Sequence, residues 1–322
     1  MFLSVLLEGS ISVLGSISID NIFSSTGLPA KGERVFGHKL GSFVGGIGCN
    51  QARELSRYLH GVYFLGQTGE DENAGFIVRY LARLGVCTDR LRKLVSYQTG
   101  QTYMFSIEDG KDYFSIVDMG ANEAGPDQSF SPSSWLENID ELLVSLEIDC
   151  DIARMTMEEA EKRGIRIWLS ASPAECCTPE ILRLADNLIL NLREARMLLG
   201  LSGDTLDEIA HSLIAVHPEM ENIVVSIGDE GALLRTNKGH VLHAPSYDVG
   251  PVIDPVGAGD ALAGAFLAAK LNGLSDWQAL CYGTIAGSLA VSVKGAQSST
   301  HDGNTLRKIF EKEFENNERS LI

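Results

Sequence analysis

The segment Asp254-Pro255-Val256-Gly257-Ala258-Gly259-Asp260 sets two glycines and two carboxylates against a small-residue helical stretch running from Ala261 to Lys270. A short apolar run ends at Ile253, so a strand, a tight turn and a helix start are expected to meet here. Gly257 and Gly259 let the backbone turn sharply and approach a ligand closely. The first amides of a helix lack internal partners and sit at the positive end of its dipole, so such a corner holds anions, phosphate oxygens above all. Asp260 adds negative charge there. That is poor design for binding a phosphate, but it suits a base that takes a proton from an attacking hydroxyl. An anion hole beside a carboxylate points to phosphoryl transfer to an alcohol. The same residues also fit a plain glycine turn with Asp as a helix cap, and the rest of the chain must decide.

A second glycine-rich segment, Gly45-Gly46-Ile47-Gly48-Cys49-Asn50, precedes a helical stretch from Gln51 to Leu59. It lacks the Lys-Ser/Thr of a P-loop, and no strong strand leads into it as in a dinucleotide fold. Close backbone approach together with the Asn50 amide, which both donates and accepts, suits a polyhydroxy ligand. The alternative is a tight loop with Asn50 as a cap.

These residues need a frame. Short β-branched runs at Ile11–Ile17, Val62–Leu65, Leu142–Leu146, Ile165–Leu169, Leu188–Leu190 and Asn222–Ile227 alternate with helical patterns near 152–163, 179–185 and 194–199. That alternation predicts an α/β fold with a mostly parallel sheet and helices on both faces. Residues 97–117 read as a hairpin, with Gln101–Ile107 and Asp112–Val117 flanking the turn Glu108-Asp109-Gly110-Lys111. Residues 20–44 are also strand-like. Segments 20–44 and 97–121 together are expected to form a small β-sheet lid that excludes water from a transferring phosphoryl group.

The bulk numbers narrow the partners. The chain has 322 residues, 44% hydrophobic and 21% charged, with 26 basic and 43 acidic side chains and a net charge of −17. This is a globular composition that fits one large α/β domain or two smaller ones; with no convincing interdomain linker, the chain is read as one domain over 1–322. The acidity argues against nucleic acid and anionic membranes as partners. No Lys or Arg precedes Lys31, so the apolar start does not read as a secretory signal, and no run is long enough to span a membrane. Six cysteines without metal-type spacing (Cys49, Cys87, Cys150, Cys176, Cys177 and Cys281) read as reduced thiols of a cytoplasmic protein.

Taken in order, the motifs resemble the PfkB family of carbohydrate kinases, and within it the ribokinase-like members. Gly45 through Ala52 matches the first family signature, and Asp254 through Gly264 the second. Between them lie Asn191-Leu192-Arg193-Glu194, similar to the family's Asn-x-x-Glu element, and Ser226-Ile227-Gly228-Asp229-Glu230-Gly231, similar to its nucleotide loop. The opening Gly15-Ser16-Ile17-Ser18-Ile19-Asp20 and the stretch Lys294-Gly295-Ala296-Gln297-Ser298-Ser299 also look ribokinase-like, so nearly the whole chain is covered. There are departures. Ile47 stands where many members carry Lys, Arg53, Glu54, Arg57 and Tyr58 replace an alanine-rich helix face, and Ser170-Ala171-Ser172-Pro173 replaces Asn-Pro-Ala-Pro. Leu192 and Arg193 are atypical in their element.

The resemblance implies a three-layer fold with a β-sheet lid and ATP-dependent phosphorylation of a sugar's primary hydroxyl, D-ribose first. Another sugar or a nucleoside, such as fructose or adenosine, is the nearest alternative, and a non-catalytic sugar-binding regulator a further one. It implies Asp260 as base, with Gly257, Ala258 and Gly259 as amide donors. Asp20, Gly45, Gly46, Asn50 and Glu147 would hold the sugar. Ser226, Gly228 and Gly231 would line the nucleotide pocket. Asn191 and Glu194 would orient Mg²⁺ and its water. Asp254, Val256, Gly295 and Ser299 would surround a K⁺-like ion. A homodimer through the lid is also implied.

Overall fold

The computed structural model describes residues 10–107, 112–293 and 301–315. In chain order the strands begin with β1 (Ile11–Leu14), β2 (Ser18–Ser25), β3 (Gly37–Gly45), β4 (Val62–Leu65), β5 (Gln67–Gly69) and β6 (Arg92–Leu94). They continue with β7 (Gly100–Ile107), β8 (Asp112–Asp118), β9 (Glu141–Ser145), β10 (Arg166–Ser170) and β11 (Asn187–Asn191). β12 (Asn222–Ser226), β13 (Ala232–Thr236) and β14 (Val241–Ala244) complete the set. The helices are α1 (Ile47–Ser56), α2 (Glu72–Arg83), α3 (Pro132–Trp135), α4 (Cys150–Arg163) and α5 (Pro179–Arg183). α6 (Leu192–Leu199), α7 (Leu206–Ala215), α8 (Ala258–Leu271), α9 (Asp276–Val291) and α10 (Gly303–Glu313) follow.

The main sheet has eight strands in the order β14-β13-β12-β11-β10-β9-β1-β4. From β12 to β4 every pairing is parallel, and only β13 is reversed, pairing antiparallel with both β12 and β14. Side chains alternate across a strand, and the two faces feed two separate cores. Val13, Leu143, Trp168, Ile189 and Val224 pack with α1, α8 and α9. Leu14, Leu142, Val144, Leu169, Leu188 and Leu190 pack with α4, α6 and α7 on the other side. A sheet buried on both faces requires continuous apolar runs, which is what the strands show.

The second sheet, β3-β2-β7-β8, has four strands, and each of them runs into the body at one end. β2 starts at Ser18, four residues after β1 ends, and β3 runs through Gly45 directly into α1. Phe105 stacks on Phe23 at 5.6 Å and on Phe114 at 4.9 Å between ring centroids, fixing the register of three neighbouring strands. Phe36 is 92% exposed at the far end of this sheet.

One expected element is absent. The chain from 245 to 257 is irregular, and Val252 and Ile253 are 64% and 54% exposed. The apolar run before the glycine turn is therefore a loop wall rather than a strand. Its bonds run elsewhere: Ile253 N–H donates to Val291 O of α9 at 2.8 Å.

α1 carries an unusual interior. Glu54 is 2% exposed, yet it accepts from Tyr58 Oη at 2.7 Å, faces Arg57 Nε at 3.2 Å and meets His301 Nε2 at 2.8 Å. Gly264 of α8 makes room for it: a Cβ added there would stand 2.6 Å from Glu54 Cβ. Burial alone would raise the Glu54 carboxyl, but His301, Arg57 and Tyr58 outweigh it and hold the group below its ordinary value.

Candidate active site

α8 begins without a side-chain cap. Gly257 is its N-cap, in the left-handed region at φ 82°, and no side chain bonds the first-turn amides. The turn geometry needs glycine at that point, and the helix start is left open to an outside acceptor. Asp260 lies in the first turn and is not the cap, so the reading of this segment as an Asp-capped turn fails. Among the three expected donors, Ala258 N–H already reaches Pro255 O, at a long 3.4 Å.

Asp260 is held from α1. Asn50 Nδ2 donates to its Oδ2 at 3.0 Å, and Gln51 Nε2 donates to its Oδ1 at 3.2 Å. Asn50 therefore does not cap α1, whose N-cap is Gly46. Burial pushes Asp260 up to about 7. The Asn50 and Gln51 donors oppose that rise, while Glu147 and Glu194 reinforce it.

The expected sugar side converges on the same place. Ser16 Oγ donates to Glu147 and accepts the Ile47 amide at 2.9 Å, tying the ends of β1, β9 and α1 together. Ser18 Oγ donates to Asp20 Oδ1 at 2.9 Å. Burial raises the Asp20 carboxyl, hydrogen bonds from Ser18 and Thr102 oppose this, and Glu147 adds to it. Gly45 passes against that carboxylate so closely that a Cβ would lie 2.0 Å from Asp20 Oδ2. Asp20, Gly45, Gly46, Asn50 and Glu147 are thus brought together around Asp260. Ser16, Ser18, Thr102 and Gln51 complete the cluster and had no assigned role from sequence. Gln51 sits next to Asn50 in the first signature, which was the one available signal.

Against the start of α8, at Ala258, Gly259 and Leu262, lies a cleft of about 500 Å³. Ser226, Gly228 and Gly231 line it as expected, together with Tyr247, Thr284 and Ser288. A smaller cavity of about 80 Å³ joins Asp260, Gly259, Ser170, Asn191 and Glu194. Asn191 and Glu194 form a reciprocal capping box at the start of α6, with Asn191 N–H on Glu194 Oε2 at 2.8 Å and Glu194 N–H on Asn191 Oδ1 at 2.9 Å. Glu194 Oε1 stays outside the box. Among the described residues no three His, Cys, Asp or Glu side chains could cage a metal. One carboxylate oxygen on a small polar cavity fits a largely hydrated Mg²⁺, which keeps most of its water.

Asp254 Oδ1 accepts the Val256 amide at 3.0 Å, the local turn bond of an Asx turn. Its side chain and the Val256 carbonyl are oxygen donors of the kind a monovalent ion takes. Gly295 and Ser299, expected to complete that shell, lie outside the described residues. The adjacent thiols show no sign of activation: burial, and then Cys176, push Cys177 up to about 11. No helix among the described residues is long and apolar enough to cross a membrane.

Comparison with known proteins gives the family and the fold. The model of the pfkB family of carbohydrate kinases matches residues 9–302. The chain is 27% identical over 303 residues to a ribokinase of Arabidopsis thaliana, covering 92% of this chain and 80% of that protein. It is 28% identical over 292 residues to a deoxyribokinase of Salmonella typhi, covering 90% and 94%. The solved structure of Arabidopsis thaliana ribokinase complexed with ribose and ATP superposes with a TM-score of 0.84 at 26% identity, covering 95% of this chain and 99% of that one.

Proposed function

Since this chain belongs to the pfkB family of carbohydrate kinases, which are ATP-dependent phosphotransferases, we propose that it transfers the γ-phosphate of ATP to the primary hydroxyl of D-ribose. The observation that carries the reading is Asp260. It lies between a polar cluster suited to a sugar and a cleft with room for a nucleotide, at an uncapped helix start.

In this reading Asp20, Asn50 and Glu147 fix the sugar hydroxyls, with Gly45 and Gly46 bringing the backbone close. ATP lies along Ser226, Gly228 and Gly231, its γ-phosphate at the start of α8. Asp260 accepts the proton of the attacking hydroxyl. The amides of Gly257 and Gly259, joined by Ala258 when its long bond to Pro255 yields, face the charge that grows on the transferring phosphoryl group. Mg²⁺, when bound, offsets phosphate charge. Asn191 and Glu194 orient its water. Asp254 and Val256, with Gly295 and Ser299, are assigned to a monovalent cation. The small sheet covers the sugar, and a homodimer through that sheet is part of the proposal.

The choice of ribose draws on the Arabidopsis relative, and the Salmonella deoxyribokinase makes 2-deoxy-D-ribose the closest competitor. The test is a coupled assay of ATP consumption with D-ribose, 2-deoxy-D-ribose, D-fructose and adenosine. D-ribose should give the highest kcat/KM. A nucleoside that performs as well would overturn the sugar assignment and leave the kinase standing. ATP consumption that no acceptor raises would favour a non-catalytic sugar binder.

A further inference from the structure

Both oxygens of Asp260 are engaged by side-chain amides, but the two amides are not equivalent. Asn50 is also assigned to the sugar, so its bond to Asp260 Oδ2 is shared once substrate arrives. Gln51 is 1% exposed and has no role assigned toward the sugar. Its Nε2 spans Asp260 Oδ1 at 3.2 Å and Ser170 Oγ at 3.0 Å, at the end of β10. Its own Oε1 is buried without a hydrogen-bond partner.

That orphaned oxygen is informative. A buried acceptor left unmet is costly, and a Met of similar volume would fill the space without the penalty. Turning the amide over would set its carbonyl oxygen against the carboxylate, so the charge on Asp260 decides which way it faces. The amide makes sense as a donor kept for Asp260. From this geometry we propose that Gln51 is the positioning residue of Asp260. It fixes the carboxylate's rotation between β10 and α8 and favours its ionised form while Asn50 is drawn to the sugar. The inference rests on Asp260 being the base. The charged groups facing Asp260 are Glu147, in the loop after β9, and Glu194 on α6, and both act against ionisation. Gln51 counters them.

Gln51→Met in the full-length protein removes the donor and keeps the volume. A hydrogen bond to a charged group is worth about one pH unit or somewhat more. The acid limb of kcat/KM should therefore move up by about one unit. Activity at pH 7 should fall about fivefold and recover at higher pH, with KM for the sugar changing less than kcat. A ¹³C-carboxyl titration of Asp260 should move the same way without any turnover. Ser170→Ala, which releases the far anchor and leaves α1 intact, should shift both readouts in the same direction by less, and it stands in if Gln51→Met is unstable. An unmoved limb and an unmoved titration would overturn the proposal, as would a loss of equal size at every pH. Asp260→Asn run alongside separates the two readings. Near-normal turnover there removes the base, whereas an inactive Asp260→Asn beside an unshifted Gln51→Met removes only the role of Gln51.

Discussion

Burial is what makes Asp260 usable as a base near neutrality. In water its carboxylate would be ionised throughout the physiological range but weakly basic. Raised to about 7, it is a far better proton acceptor and still half ionised at neutral pH. The sign follows directly: kcat/KM should fall as the solution is acidified through about 7, because the protonated form accepts nothing. Asp260→Asn should lower kcat by about 10²–10⁴-fold while sugar affinity, read by calorimetry, changes little. Gly45 gives a complementary test. Its missing Cβ is the space that the Asp20 carboxylate occupies, so Gly45→Ala should raise KM for the sugar by about tenfold or more and affect kcat less. Steady-state kinetics across sugar concentration would read that split, and a change confined to kcat would count against Asp20 as a sugar ligand.

Among the elements, the crossing of α1 and α8 holds the most consequence. Glu54 is a buried charge whose partners are Arg57, Tyr58 and His301. Glu54→Ala would leave those partners facing a hole and should cost about 3–5 kcal/mol in urea unfolding at pH 7, and Glu54→Gln clearly less. Because the folded-state carboxyl is held below its ordinary 4.5, its stabilisation is complete above that pH and is lost as pH falls through the lowered value. The gap between wild type and Glu54→Ala should accordingly narrow in acid. The sequence shows that Arg53, Glu54, Arg57 and Tyr58 replace an alanine-rich face, but it does not name what meets them, because His301 is 247 residues away from Glu54. The same distance problem hid Gln51, whose target is 209 residues off. What could be read were features whose cause is local. The antiparallel pairing of β7 and β8 follows from alternation on either side of the polar segment 108–111, itself outside the described residues, α4 and α6 from their apolar spacing, and Asp260 and Asn50 from glycines at helix starts. Apolar residues at Val252 and Ile253 misled because an apolar run does not say whether a neighbouring strand exists to pair with it.

At the scale of the whole molecule, the parallel sheet gathers the ends of β1, β9, β10, β11 and β12 at one edge, and each contributes to the site: Ser16 and Asp20 after β1, Glu147 after β9, Ser170, Asn191 and Ser226. A parallel sheet concentrates chain reversals in this way, so residues far apart in sequence become neighbours. The loop through Asp254 links this edge to α9, since Ile253 and Asp254 both donate to Val291 O. A cation held by Asp254 would stiffen the turn that presents the Gly257 and Gly259 amides without touching substrate. Activity should therefore rise when K⁺ replaces a large organic cation at constant ionic strength and saturating Mg-ATP. Equal rates after exhaustive dialysis would count against a cation there.

The small sheet is joined to the body along one edge, where β2 leaves Ile17–Ser18, β3 returns through Gly45–Gly46, β7 leaves Thr99–Gly100 and β8 returns through Asp118–Met119. Asp20 is mounted on that sheet, two residues past its root, while Asn50 and Asp260 are mounted on the body. The pocket for the sugar is thus a vice with one jaw on an arm. Any tilt of the arm about these roots would change the gap between Asp20 and Asn50, and with it the grip on a sugar. Affinity for the sugar then measures an angle as much as a set of hydrogen bonds, and a substitution far out along the arm can loosen the grip without touching the jaw.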